Sequence, residues 1–345
     1  MSDTSYAALT RAKAKFGKRL REKDYKSLLD CANVAEVMTY LKSNTHYIEA
    51  FGEANERGIR RGLFENLLKQ YMNNQFDSLV RFELSVGEQF SNYIAHKTEV
   101  NELIRFLTLL NSTEDRREQP FHFVFPAHMA KKTSINLTTL ADAKSYEEFL
   151  AAIEGTRYEK VFSKYQIKSG ESIPITEIEN ELYIGLYRDL YEIVVKTGST
   201  ESAELEDLLD AVMDYENFVR IIRFKKYYKA DYKTIAKFLL PFGSLSDKAL
   251  GEMLTAETSD EVYKIMLRTK HGKLISKTDY NHTGELPLRI KHKKAWHNMY
   301  FSDNPATVML SYIILCEVEL HNLIILIEAA RYNVDRTKIE PLLIY

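Results

Sequence analysis

Proline and glycine are scarce: seven and thirteen in 345 residues. Too few are left for the many tight turns of a sandwich or barrel, which points to long helices joined by few loops. Net charge is also nearly absent, at −2 with a pI near 6.5. A nucleic-acid binder would carry a basic excess, so that class is set aside. There are two cysteines, Cys31 and Cys316, far apart and without metal-ligand spacing. Both sit among apolar neighbours and read as reduced core residues of a cytosolic protein. The start, Met1-Ser2-Asp3-Thr4-Ser5, lacks the charged-then-apolar layout of a signal peptide. The most apolar stretch, 308–330, is broken by Glu317, Glu319, His321 and Asn322. Each is costly in hydrocarbon, so the stretch is expected to be a buried helix and any membrane link indirect or peripheral.

Motifs of chemistry are equally sparse. Gly272-Lys273 lacks the rest of a phosphate-cradling loop, and neither a His-Glu-x-x-His pair nor a Gly-x-Ser-x-Gly elbow occurs. His292 and His297 are five apart beside Lys291, Lys293 and Lys294, which disfavours a bound cation. The nearest approach to an enzyme is Glu206-Asp207-Leu208-Leu209-Asp210 with Asp214. Such spacing shares a helical face and would suit magnesium on a diphosphate, but no second acidic cluster faces it. The simpler reading is a solvated face with Leu205, Leu208, Leu209 and Val212 behind it. Two basic runs, Arg220 to Lys233 with Tyr227, Tyr228 and Tyr232, and Arg289 to Lys294, read first as charged helix faces. Their second reading is a patch toward anionic headgroups or an acidic partner. No cofactor, metal or small-molecule substrate is expected.

What is present is helical periodicity. Leu67, Leu68, Tyr71, Met72 and Phe76 recur at three- and four-residue steps. Ile178, Leu182, Ile184, Leu186, Leu190 and Ile193 are read as a second such face. Asp303-Asn304-Pro305 predicts a helix start, with the helix running to about Tyr332. Pro241 to Ser244 and Gly284 to Pro287 are expected loops. Phe121 to Phe125 is another, or a short strand.

The chain also repeats itself. Ala32, Ala143 and Ala256 are each followed four residues later by an acid (Glu36, Glu147, Asp260). Thirteen residues after each alanine comes threonine (Thr45, Thr156, Thr269), then Tyr47, Tyr158 or His271 two further on. Leu29, Leu140 and Met253 precede the alanines by three. A second marker aligns Glu99 to Arg105, Asp214 to Arg220 and Glu319 to Ile325, with isoleucine in place of the arginine in the last. The spacings lie near a third of the chain. They predict three similar units, roughly 1–115, 116–230 and 231–345, each a helical bundle of viable size. Three like bundles can curve about a pseudo-threefold axis and leave a central opening. The expected fold is therefore all-α: three pseudo-symmetric bundles arranged as a funnel.

Tyr6, Arg11-Ala12-Lys13, Leu20, Tyr25, Leu28-Leu29, then Leu41, Thr45 and Tyr47 resemble the opening of the C subunits of V-type/A-type rotary ATPases. In eukaryotic V-ATPases the family member is the d subunit. Pro241-Phe242-Gly243-Ser244-Leu245 and Glu317 to Leu323 are similar to family stretches as well. The resemblance covers essentially the whole chain. It implies a non-catalytic adaptor, cytoplasmic and peripheral to the membrane. One face would rest on the proteolipid c-ring, and the wide side would receive the rotor shaft made by the D and F subunits. The adaptor would pass torque between ion transport and ATP turnover. Asn101, Arg105, Asn217, Arg220 and Asn322 are candidates for the socket wall, or alternatively bond between helices of their own bundles. Phe121, Phe123 and Phe125 are candidates for apolar contact with the ring. A scaffold unrelated to rotary motors and the magnesium-dependent enzyme are the competing readings.

Overall fold

The computed structural model describes residues 3–52, 54, 59, 61–80, 87–112, 133–168, 171–197, 202–275 and 284–345. They hold seventeen α-helices and, among the described residues, no strand. Phe121, Phe123 and Phe125 lie outside the described residues. Two compact units divide the chain: residues 1–87 with 194–345, and residues 88–193.

The first unit is built on its longest helix, α16 (Pro305–Tyr332), the helix expected from its start signal. Asn304 caps it by accepting from the Thr307 N–H at 2.9 Å, and Pro305 fills the first turn, where no donor is missed. By length and composition α16 would suffice to cross a bilayer. Instead sixteen of its 28 residues are buried within the unit. Around it pack α1 (Asp3–Phe16), α2 (Glu22–Leu29), α3 (Val34–Asn44), α5 (Arg61–Val80) and α15 (Leu286–Phe301). α4 (Ile48–Phe51) links α3 to α5. Leu68, Met72 and Phe76 of α5 are buried as the periodicity predicts, while Leu67 and Tyr71 flank them, half-buried. α15 begins two residues inside the expected Gly284–Pro287 loop, because Pro287 is accommodated in a first helical turn.

In the same unit α11 (Ala203–Arg223) packs on α15 and on α14 (Ser259–Met266), with α12 (Tyr232–Lys237) and α13 (Asp247–Thr255) between. Its buried face meets a core that includes Tyr215, Phe218, Ile222, Met253, Val262 and Met266. Each such side chain contributes about 1.5–3 kcal/mol by leaving water. Cys31 and Cys316 are free thiols, each half-buried instead of deep in the core.

The second unit pairs α6 (Gly87–Leu110) and α10 (Ile175–Thr197), the long helices at its ends, with three short helices. These are α7 (Leu137–Asp142), α8 (Tyr146–Ala152) and α9 (Glu159–Phe162). Phe149 sits at its centre, edge-on to Phe162 at 4.9 Å and stacked with Phe106 at 5.9 Å. Ile178, Leu182, Leu186, Leu190 and Ile193 of α10 are buried. Ile184 is only half-buried. It follows Leu182 by two residues, which carries it off the apolar face.

Candidate functional site

The two repeated markers meet in space, three times over. In the second unit the Tyr158 hydroxyl donates to Glu99 Oε2 at 2.6 Å. In the first unit His271 Nδ1 bonds Asp214 Oδ2 at 2.7 Å, and the Tyr47 hydroxyl donates to Glu319 Oε1 at 2.7 Å. Each acid lies on a long helix, α6, α11 or α16. Each partner follows the threonine of the first marker by two residues. Glu99 and Asp214 reach forward to partners 59 and 57 residues on, whereas Glu319 reaches back 272 residues to Tyr47. The last acid is thus answered from the start of the chain. Neither marker alone reveals this pairing. The available signal was a carboxylate among apolar neighbours recurring in step with a distant ring.

The turns carrying the rings are built alike. Asn33, Ser145 and Thr258 cap α3, α8 and α14 by accepting from the N–H groups of Glu36, Glu148 and Glu261. These glutamates reach back to the N–H groups of Ala32, Lys144 and Glu257 at 2.8, 2.7 and 2.9 Å. Each thereby completes a reciprocal cap. In the second and third copies the capping acids, Glu148 and Glu261, each follow by one residue the acid four places past the alanine, Glu147 and Asp260. Counted from the caps, the buried apolar partner in the first copy is Leu28, with Leu140 and Met253. Leu29, the residue expected, is half-buried. The first copy holds one more residue between cap and threonine. At the far end the Thr45, Thr156 and Thr269 hydroxyls donate to backbone carbonyls of the turn they close. Phe51, Phe162 and Ile275, four residues past each ring, are buried.

The His271 clasp is the most polar. Asp214, fully buried, also accepts from the N–H groups of Ser244 and Leu245 at 2.8 and 3.0 Å and from the Ser244 hydroxyl at 2.7 Å. His271 Nε2 faces Asp207 at 3.2 Å. Burial works against charge on this imidazole, but hydrogen bonds to Asp214 and Asp207 outweigh it and raise its pKa. Burial likewise opposes ionisation of Asp207. Lys270 at 2.8 Å, Lys294 and His271 nonetheless hold its carboxyl far below the usual range. Serine, histidine and aspartate are adjacent here, with Ser244 Oγ 3.3 Å from His271 Nδ1. The Ser244 hydroxyl is directed at Asp214, and both imidazole nitrogens face carboxylates. The acidic cluster expected to be a solvated face instead spends Asp207 and Asp214 on holding α11 to the chain after α14. Part of the second basic run answers it: Lys294 binds Asp207, and Lys291 binds Glu216 at 3.2 Å.

The other two clasps differ in surroundings. Glu319, its side chain 11 % exposed, accepts from the Leu20 N–H at 2.8 Å besides Tyr47. Burial pushes its pKa up to about 7 against these two bonds. It borders a cavity of about 50 Å³ with Lys15, Arg19, His46 and Trp296 on the wall. In the second unit Arg157, next to Tyr158, bonds Asp189 through both terminal nitrogens at 3.0 and 2.9 Å. His96 Nδ1 lies 2.8 Å from the same carboxylate. Burial resists ionisation of Asp189, but His96 and Arg157 keep its pKa low.

The polar positions singled out in the sequence are placed unequally. The Asn217 amide brackets one backbone residue, donating to the Leu240 carbonyl at 3.0 Å and accepting from its N–H at 2.7 Å. Asn322 does the same to Ile344, at 2.7 and 3.0 Å. Both side chains are buried. Arg220 donates to the Phe238 carbonyl at 2.5 Å. Asn101 is exposed on α6, and Arg105, also exposed, pairs with the buried Glu102 at 2.5 Å. Asn217, Arg220 and Asn322 thus bond to backbone of the non-helical segments at Phe238, Leu240 and Ile344, whereas Asn101 and Arg105 keep exposed side chains. Asn322→Ala is therefore expected to lower the stability of the isolated chain by about 2 kcal/mol, since both Ile344 groups lose their partner. Urea unfolding followed by circular dichroism measures this. Unchanged stability with weakened partner binding would instead place Asn322 at an interface.

Among the described residues no group of three histidine, cysteine or carboxylate side chains is arranged to hold a metal. The family described as ATP synthase (C/AC39) subunit matches residues 8–342. The C subunit of the A-type ATP synthase of Pyrococcus abyssi is 28% identical over 156 residues, 45% of this chain and 40% of that one. Its counterpart in Pyrococcus furiosus is 26% identical over 208 residues, 58% and 55%. That of Methanosarcina mazei is 24% identical over 279 residues, 79% and 72%. The chain thus spans two fifths to just over half the length of the two Pyrococcus relatives. With the family matched from the second turn of α1 almost to the C-terminus, the chain belongs to the ATP synthase C/AC39 subunit family.

Proposed function

We propose that this chain is the non-catalytic central-stalk adaptor of a rotary V/A-type ATPase. It joins the D and F shaft subunits to the proteolipid c-ring at the cytoplasmic face of the membrane, and passes torque between ATP turnover and proton or sodium transport. The observation that carries the reading is the triple acid–ring clasp in a chain of this family. Three like bundles in one polypeptide suit a socket around a cylindrical partner. A torque adaptor needs stiffness, and each clasp ties a long helix to a turn outside it by a buried or part-buried hydrogen bond. The repeat spacing sets these bundles at roughly 1–115, 116–230 and 231–345. Asn101 and Arg105 are the polar candidates for the shaft side, and Phe121, Phe123 and Phe125 for the ring side.

Native mass spectrometry of the tagged protein, gently extracted from its own membranes, tests this. Recovery with D, F and a proteolipid ring is the expected result. A lone monomer beside an intact rotary ATPase in the same extract would overturn it.

A further inference from the structure

After α11 the chain does not stop cleanly. It passes into a π-helical turn, Phe224–Tyr228, ended by Lys229 in the left-handed conformation at φ 46°. Phe224 turns inward and stacks on Phe238 at 4.9 Å. Lys225 also turns inward, onto the carbonyls of Leu254 and Ala256 at 2.7 and 2.5 Å. With these two anchored, the next residues are thrown outward. Tyr227 and Tyr228 are 66% and 71% exposed, and Tyr232 on the first turn of α12 is 51% exposed. Lys226, Lys229 and Lys233 stand exposed among them, flanked by exposed Arg223 and Lys237. Against these five cations the segment sets one exposed carboxylate, Asp231, which is occupied in capping α12 at the Thr234 N–H. Among the described residues none of the five cations makes an ion pair. So local a basic excess, on a chain whose net charge is −2, needs an explanation outside the fold.

We propose that the turn from Arg223 to Lys237 is a docking surface for an anionic lipid bilayer. Tyrosine rings with an apolar body and a polar tip suit the headgroup level of a membrane. Ammonium groups on flexible stems reach phosphates without a fixed geometry. A protein partner would select differently, since interfaces favour arginine and are depleted in lysine, and four of these five cations are lysine. Single-stranded nucleic acid is held in a groove that tracks its backbone, whereas these rings stand on a protruding turn. The surface concerns lipid itself and does not depend on contact with any other protein, so it stands or falls apart from the adaptor reading.

The test is flotation of the purified full chain with vesicles of phosphatidylcholine containing roughly 30% phosphatidylserine, against vesicles of phosphatidylcholine alone. Binding to the anionic vesicles only, weakened by salt, is expected. The triple variant K226E/K229E/K233E should bind about 100-fold more weakly, at about fivefold for each lysine. Y227S/Y228S should bind several-fold more weakly while keeping the salt dependence. All five side chains are exposed, and a melting curve verifies that the variants fold. Equal binding to both vesicle types, or triple-variant binding equal to wild type, overturns the proposal. So does capture of an acidic peptide or a single-stranded oligonucleotide in place of vesicles.

Discussion

Asp214→Ala is expected to destabilise the chain by about 3–5 kcal/mol, the range for breaking a buried ion pair by removing one partner. The carboxylate is fully buried and the imidazole it holds is 4% exposed. Alanine leaves three groups without their acceptor: the Ser244 and Leu245 N–H groups and the Ser244 hydroxyl. It also leaves His271 with only Asp207 and the Ser244 hydroxyl, at 3.2 and 3.3 Å. Asp214→Asn preserves shape and one acceptor, so it should cost roughly half as much. Gly243 enforces the same geometry from the other side. Its φ is +105°, and a Cβ there would come within 2.5 Å of Asp214 Oδ1, so Gly243→Ala should be damaging too. Because the folded pKa of His271 is raised, the pair stabilises fully below the unfolded histidine value and loses its contribution as pH climbs through the folded one. The gap between wild type and Asp214→Ala should therefore narrow in alkaline buffer. Urea unfolding at several pH values measures it, and a gap unchanged with pH would mean that the charge on His271 contributes nothing.

The Pro241-Phe242-Gly243-Ser244 segment shows what a sequence discloses and what it withholds. Proline and glycine announce a loop, and the loop is there. That its N–H groups point at a carboxylate thirty residues earlier depends on packing that no local pattern encodes. The caps are the opposite case. Asn304 before Pro305, and the Asn33, Ser145 and Thr258 positions, act within four residues, so their chemistry is legible in order. Periodicity likewise exposed the buried faces of α5 and α10, with Ile184 misplaced by one two-residue step. The markers Glu99, Asp214 and Glu319 were visible as repeats but not as buried acids. Their partners lie 57 to 272 residues away, and only the fold closes that distance. Asn217 and Asn322 stood out for the same reason as the acids, through repetition. Repetition alone does not distinguish a residue serving its own bundle from one serving a partner.

Glu319→Gln should flatten much of the stability loss that wild type shows between pH 4.5 and 7. In the fold burial lifts Glu319 to about 7 from an ordinary value of 4.5. The folded state thus holds a proton that the unfolded chain has released across that interval. Stability falls wherever the native state binds more protons. The contribution is whole below pH 4.5 and is lost as pH rises through about 7, amounting to about 3 kcal/mol. His271 adds a loss of the same sign, fading at higher pH, so wild type alone cannot apportion the slope. Glutamine separates the two, because it keeps a carbonyl for Tyr47 or the Leu20 N–H but cannot ionise. At pH 5 the variant should be slightly weaker than wild type, for want of one acceptor. At pH 7.5 it should be the more stable protein. Tyr47→Phe provides the complementary arm. It removes the hydroxyl that favours the carboxylate, so Glu319 should titrate higher still and the loss should extend further up the pH scale. Denaturant unfolding from pH 4.5 to 8 on the three proteins decides the matter. Parallel curves for wild type and Glu319→Gln would mean that Glu319 titrates like an exposed glutamate, and that the Tyr47 clasp is open to water.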